Sequence, residues 1–453
     1  MQPVLQKSTF VRYHKIDNSF VVYHSLFAKP LFVNKDVIKI IELFETPKCI
    51  SELQFHIDKK IIETLRERLF LVEVGFSERT LLNNIHDAYI EQVAMGKTLI
   101  QLGLAVSDSC NLACPHCIHF KQHKRENSLM SWEIAKQAID TFMNFTGNQG
   151  KANVKIHFGR AEPLLNWKLI EKVISYCTSK YRHIKTAFSI NTNLILLTKD
   201  QALVLRKYNV VIGTSLDGGK KANDSNRILP SGSGTYDIIV RNLRMLRDIN
   251  YPVTSVNATI TEANFDLLDD DMVMAAKELG LKEISFDIDS INDIHLQNDI
   301  IINKFFDFKK KCQKNGIKAG GIWMTPYLNM INRDILNDEL YSFCKSIRGT
   351  SITVSPNGDL FICPHSKIKM GHMKSFCELF DKKSSFIRVI SSRLPGRNVI
   401  CHDCEIEGQC AGQCQATCEF TDYGLKAKYN SMCQFYIKAT KELLADKLRA
   451  EFQ

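Results

Sequence analysis

Cys110-Asn111-Leu112-Ala113-Cys114-Pro115-His116-Cys117 places three thiols on one short stretch. The run before it, Thr98-Leu99-Ile100-Gln101-Leu102-Gly103-Leu104-Ala105-Val106, is nearly all apolar and reads as a buried strand. Ser107-Asp108-Ser109 breaks that run, so the cysteines fall on the loop that follows. Loops at the carboxyl ends of barrel strands are where chemistry usually sits. Thiolates hold iron–sulfur clusters, and a cubane has four irons to ligate. Three cysteines would leave one iron for some other ligand. Structural zinc is the competing use of clustered cysteines, but it prefers four protein ligands, commonly in separated pairs.

Outward from this loop, from Lys97 to about Ile300, strand-like and helix-like runs alternate. Val154–Phe158, Thr186–Ile190, Val210–Ser215, Thr254–Ile260 and Glu283–Ile288 are predicted strands. Ser131–Phe145, Asn166–Tyr181, Lys199–Lys207, Asp237–Ile249 and Leu268–Leu279 carry helical apolar spacing between them. Counting the strand before the cysteines, there are about six such units, and βα alternation implies a parallel sheet.

The whole chain has 453 residues, 45% hydrophobic and 24% charged, as a globular protein of several domains would. No apolar run is long enough to span a membrane, and the start lacks a basic-then-apolar signal pattern. A cytoplasmic protein with no membrane partner is therefore expected. The net charge of +10 is spread along the chain and does not separate acidic peptides from nucleic acid as partners. Fifteen cysteines without a signal sequence argue for metal or redox chemistry, not disulfides. Cys49, Cys177 and Cys312 are scattered and read as small buried hydrophobes.

Residues 1–76 read as a small α+β module. Thr9–His14 and Ser19–His24 suit a hairpin, with Pro30–Val33 as a third strand. Asn34 can cap a helix whose apolar face is Val37, Ile38, Ile41 and Leu43-Phe44. Short helices at Ser51-Glu52-Leu53 and Lys59–Arg68 follow, and Phe70–Val74 returns as a strand or wing. Residues 77–96 read as a linking helix.

The C-x3-C-x2-C loop resembles the signature of the radical S-adenosylmethionine (SAM) enzymes. That resemblance implies a 4Fe–4S cluster on Cys110, Cys114 and Cys117, with SAM chelating the fourth iron. It also implies a partial (β/α)6 TIM-type barrel over 97–300. Phe158-Gly159-Arg160-Ala161-Glu162-Pro163 is similar to the family's Gly-Gly-Glu-Pro motif, so Glu162 would receive the SAM amino group. Arg160 and Ala161 stand where the two glycines normally do. Ser189-Ile190-Asn191-Thr192-Asn193 sits where the family contacts the ribose or methionyl part, with Ser189 and Asn191 as SAM residues. Ser215-Leu216-Asp217-Gly218, followed by Asn223-Asp224 and Arg227, resembles another family pattern, with Asp217 and Arg227 as SAM residues. Arg227 would take the SAM carboxylate, since a guanidinium matches it in bidentate fashion. His116 keeps a ring at the position that packs on adenine. The N-terminal module, resembling a winged helix, looks like the peptide-recognition domain of maturases of ribosomally made, post-translationally modified peptides (RiPPs). Such domains add a leader peptide as a strand to a sheet edge.

Past a connecting region, 301–340, in which Ile301–Cys312 reads as helix and Gly320-Gly321 as a turn, the cysteines return in order. Cys344, Cys363, Cys401, Cys404, Cys410, Cys414 and Cys433 are spaced as in the SPASM domain, here 341–453. Cys377 and Cys418 fall outside that pattern. The resemblance allots Cys401, Cys404, Cys410 and Cys433 to one auxiliary 4Fe–4S cluster. It allots Cys344, Cys363 and Cys414 to the other, whose fourth iron is either open or takes another ligand, Cys418 being the nearest spare thiol. Three 4Fe–4S clusters and SAM are the implied cofactors.

The reading is a radical SAM oxidoreductase that modifies a precursor peptide, most simply by a C–C or C–S crosslink. Flavodoxin or ferredoxin is the expected electron donor. His365, Asp287 and Asp289 are candidate general bases. A sulfatase-maturase-like enzyme is the nearer alternative. An iron–sulfur DNA-binding redox regulator is the farther one, and nucleic acid is not the expected partner.

Overall fold

The chain opens on two antiparallel three-stranded sheets. The computed structural model describes residues 3–53, 57–119, 128–290, 297–332, 342–420 and 431–451. Val4–Lys7 (β1), Lys48–Cys49 (β5) and Leu71–Glu73 (β6) form one sheet, in the order β5-β1-β6. Val11–Ile16 (β2), Ser19–His24 (β3) and Ala28–Val33 (β4) form the other. The alternating residues of β2 and β3 pair across a two-residue turn that Asp17 enters at φ 53°. Asn34 caps helix Lys35–Leu43, its side chain accepting from the amides of Asp36 and Val37. Leu5, Val22, Ile41, Phe44, Leu65 and Phe70 close a core of their own between sheets and helices. Two strands here, β1 and β5, fall outside the three-strand hairpin pattern expected from sequence.

Six parallel strands then run in chain order: Gln101–Leu104 (β7), Asn153–Phe158 (β8), Lys185–Asn191 (β9), Val211–Gly213 (β10), Ser255–Ile260 (β11) and Glu283–Ile288 (β12). Between β10 and β11 the pairing narrows to one parallel bridge, Ser215 to Asn257. Helices Trp132–Asn148, Trp167–Lys180, Lys199–Lys207, Tyr236–Asp248 and Asp270–Leu279 lie between the strands and bury their apolar sides. Ile156, Phe158, Ile190, Ile284 and Phe286 are fully buried among them, which suits strands covered on both faces.

Both ends of this fan carry a strand not foreseen from sequence. Lys318–Gly320 (β13) pairs in parallel with β12. Of the Gly320-Gly321 pair expected as a turn, Gly320 thus ends a strand and Gly321 caps the short helix Ile322–Met324, and Lys318-Ala319-Gly320 holds no β-branched residue to signal the strand. Ser351–Val354 (β14) pairs in parallel with β7, and Asp359–Phe361 (β15) and Lys369–His372 (β16) continue the sheet antiparallel. The order β10-β9-β8-β7-β14-β15-β16 therefore sets the segment bearing Cys363 beside the first cysteine loop. The expected boundary between 340 and 341 lies outside the described residues.

The N-terminal sheets touch the C-terminal cysteine region directly. The Gly408 amide donates to the Ser25 carbonyl at 2.8 Å. Arg79 forms a bidentate pair with the buried Glu407, at 2.8 and 3.1 Å.

Candidate active site

A cavity of about 590 Å³ opens at the carboxyl ends of the parallel strands. Its wall includes all three first-loop cysteines, with His116, Glu162, Asn191, Arg227, Asp287, Asp289, His365 and Cys414. Residues far apart in sequence thus meet because parallel strands deliver every following loop to one rim.

The cysteine loop is held from several sides. The Leu112 amide points to Cys110 Sγ at 3.4 Å, and Asn193 Nδ2 lies 3.7 Å from the same sulfur. The Ala113 amide donates to the Ile228 carbonyl at 2.8 Å, and the Cys117 amide to the Cys114 carbonyl at 3.1 Å. Burial pushes the Cys110 thiol up to about 12 and raises Cys114 as well, though Arg227 opposes the latter. All fifteen cysteines are free thiols. Among the described residues no three His, Cys, Asp or Glu side chains converge on a single-ion site. The first-loop thiols stand around a roomy cavity instead, and buried thiols with amides aimed at sulfur suit an iron–sulfur cluster.

Glu162 ends β8's loop. It is 1% exposed and accepts from Thr192 Oγ1 at 2.7 Å, the Asn193 amide at 2.8 Å and the Leu164 amide at 3.0 Å. Burial outweighs those donors and pushes its carboxyl up to about 7. A carboxylate so placed gains from an incoming ammonium. Arg227 follows the short helix Lys220–Asn226, and its Nη2 donates to Asp217 Oδ1 at 3.0 Å. Its Nε lies 3.0 Å from Asp217 Oδ2. Asp217 also accepts from the Thr259 amide at 2.9 Å. Asp217 therefore stands behind the wall and aims Arg227 into it. Ser189 is likewise one layer back, 2.9 Å from His157 Nδ1, while His157 faces the cavity. His116 is on the wall, and its Nδ1 is buried without a hydrogen-bond partner among the described residues.

Arg160 takes φ 87°, the left-handed conformation glycine adopts freely. Its Nε pairs with Asp108 at 2.9 Å, and its guanidinium stacks 5.3 Å from the centre of the Phe361 ring. The side chain is 4% exposed, so it joins the first cysteine loop to β15 instead of pointing to solvent.

Asp287 accepts from the Trp323 amide at 3.0 Å, and burial pushes it up to about 6. The Asp289 amide donates to the Ile260 carbonyl at 2.8 Å. His365 Nδ1 is 3.1 Å from His119 Nε2, a second tie between first loop and C-terminal segment. Ser290, just past β12, meets Thr417 at 2.9 Å and closes the far rim.

The C-terminal thiols fall into two neighbourhoods. Cys344 and Cys363 are raised by burial first and then by Cys414. Burial first raises Cys401, Cys404 and Cys410; Cys433 raises all three, Cys404 also raises Cys401 and Cys410, and Cys401 raises Cys410. Cys418 points its thiol to the Gly412 carbonyl at 3.5 Å. Sequence reasoning named Thr192 and Asn193 only as part of the stretch from Ser189, and missed His157, His119, Asp108 and Thr417. His365 was named from its place two residues after Cys363, and His119 stands likewise two after Cys117, the one signal that could have found it.

Residues 104–262 match the Radical SAM superfamily. The radical SAM cyclopropyl synthase TigE of Paramaledivibacter caminithermalis is 26% identical over 95% of this chain and 93% of its own length. A cysteine-type anaerobic sulfatase-maturating enzyme of Clostridium novyi is 23% identical over 70% and 88%. In fold, the chain is similar to Streptococcus suis SuiB bound to precursor peptide SuiA, with a TM-score of 0.54 and 17% identity over 95% of this chain and all of that one. No helix among the described residues is long and apolar enough to cross a membrane.

Proposed function

We propose that this chain, a radical SAM enzyme, is a RiPP maturase that oxidatively forms a carbon–carbon bond in a precursor peptide. The observation that carries it is one cavity whose wall holds both the first cysteine set and, from the C-terminal region, Cys414 and Thr417. A substrate C–H bond held there sits between a radical source and an electron sink. The near end-to-end similarity to a cyclopropyl synthase favours C–C over C–S closure.

Cys110, Cys114 and Cys117 would hold the SAM-binding 4Fe–4S cluster. The set Cys344, Cys363 and Cys414 and the set Cys401, Cys404, Cys410 and Cys433 would hold two more in a SPASM domain. Bound there, SAM and the clusters supply a hydrogen-abstracting 5′-deoxyadenosyl radical and a sink for the surplus electron. Glu162 accepts the ammonium of SAM, and Arg227, oriented by Asp217, grips its carboxylate. His116 packs on the adenine, while Asn191 and, through His157, Ser189 shape the remaining wall. Bond closure removes a second hydrogen as a proton. Asp287 faces the cavity and is mostly ionised at neutral pH, since its carboxyl titrates near 6, so it can take that proton. Asp289 and His365 are the other bases within the wall. The N-terminal sheets offer strand edges for a leader peptide. A flavodoxin or ferredoxin would deliver the reducing electron.

Co-expression with the short open reading frames beside the gene tests this reading. Mass spectrometry should show one peptide lighter by two hydrogens, with a new carbon–carbon bond in the fragment spectrum. A cysteine or serine converted to formylglycine would favour the sulfatase-maturase alternative. Peptides of unchanged mass would contradict oxidative bond formation.

A further inference from the structure

Ala411-Gly412-Gln413 links Cys410 of one C-terminal thiol set to Cys414 of the other. All three residues have positive φ, at 51°, 82° and 70°, so the link is a tight, unusual turn. Arg393 grips it. Its Nη2 donates to the Gly412 carbonyl at 2.6 Å and also to the Gln413 carbonyl. Its Nη1 lies 3.9 Å from Cys418 Sγ. The residue is 1% exposed, and its Nε is buried without a hydrogen-bond partner among the described residues. No carboxylate is paired with it among the described residues. The turn it grips is flanked by one cysteine of each set, Cys410 and Cys414, so the guanidinium stands where the two sets meet.

A buried cation whose partners are two carbonyls is costly unless an anion accompanies it. Glu407 and Glu419, the carboxylates that act on the same cysteines, are held by Arg79 and by Ser366 and the Lys367 amide, so the thiol sets are the anion sources left to Arg393. The geometry points to Arg393 as the shared counter-ion of two C-terminal iron–sulfur clusters, placed between them to raise both reduction potentials. This rests on the reading above that both sets hold clusters. Thiolate-ligated clusters are anionic and become more so on reduction, so a fixed cation favours the reduced form. Arg393 would thereby make the C-terminal clusters ready electron acceptors and tie their potentials together.

The test is an EPR-monitored redox titration of the full chain carrying C110A, C114A and C117A, so that only the C-terminal sets contribute. Arg393→Gln should move both potentials negative by at least about 59 mV, a tenfold fall in the reduced-to-oxidised ratio at fixed potential. Arg393→Lys, which keeps the charge, should stay near the parent. If Arg393→Gln fails to load iron while Arg393→Lys loads it with parental potentials, the charge is what the site requires and the proposal stands. It is overturned if Arg393→Gln loads iron with either potential unmoved. Equal loss of iron in both variants also overturns it, because the guanidinium then serves only to hold the turn. A parent without iron in this background removes the clusters themselves and overturns the reading beneath it.

Discussion

If Glu162 receives the SAM ammonium as proposed, it sets the pH response of SAM binding. Burial leaves its carboxyl near 7 despite three donors, so below neutral pH it is protonated in the free protein. An ammonium needs the ionised form, and acid must therefore weaken SAM binding. Affinity should fall by roughly tenfold per pH unit below about 7 and level off above it. Equilibrium binding to anaerobic, cluster-loaded protein measures this, and Glu162→Gln should bind weakly with no slope. A flat profile in the parent from acid to neutral pH would remove Glu162 from the ammonium site. Arg160 is the other telling residue. Sequence alone leaves open whether it points to solvent; its place between Asp108 and Phe361 depends on β15 lying near the first loop, a contact across some two hundred positions. The resemblance to family motifs marked Glu162, Arg227 and the cysteine sets. It did not mark Asp217 and Ser189 as supporting residues, because both act through a neighbour.

The loop between Cys404 and Cys410 is an element whose shape depends on a partner from the other end of the chain. A Cβ on Gly408 would meet the Leu26 carbonyl oxygen at 1.9 Å, backbone against backbone, so one of the two must move. Gly408→Ala should cost about 1–3 kcal/mol, the usual range for overpacking. A thermal melt of anaerobic protein checks this, and a parental melting temperature would show that the loop yields freely. Among the elements, β7 to β12 were legible because each is a short apolar run followed by a helix-spaced stretch. β13 was not legible, being three residues with no β-branched side chain. β14 does carry Ile352, Thr353 and Val354, but nothing local says that it joins the far edge of β7. Strand order is a long-range property, whereas hydrophobic period is a local one.

For the whole molecule, the insertion of β14 beside β7 is the decisive feature. It brings Pro364, His365 and Cys414 to the rim that the first cysteine loop already occupies, so thiols from both regions face one cavity. The N-terminal module closes against the same C-terminal region through the Ser25 carbonyl and the Gly408 amide, and the helix that follows it does so through Arg79 and Glu407. The central claim is that the first cysteine set activates SAM. Anaerobically reconstituted protein, reduced with dithionite and given SAM, should release 5′-deoxyadenosine, and the triple change of Cys110, Cys114 and Cys117 to Ala should abolish it. Protein that holds iron and sulfide yet releases none, or that carries zinc in their place, would contradict the account.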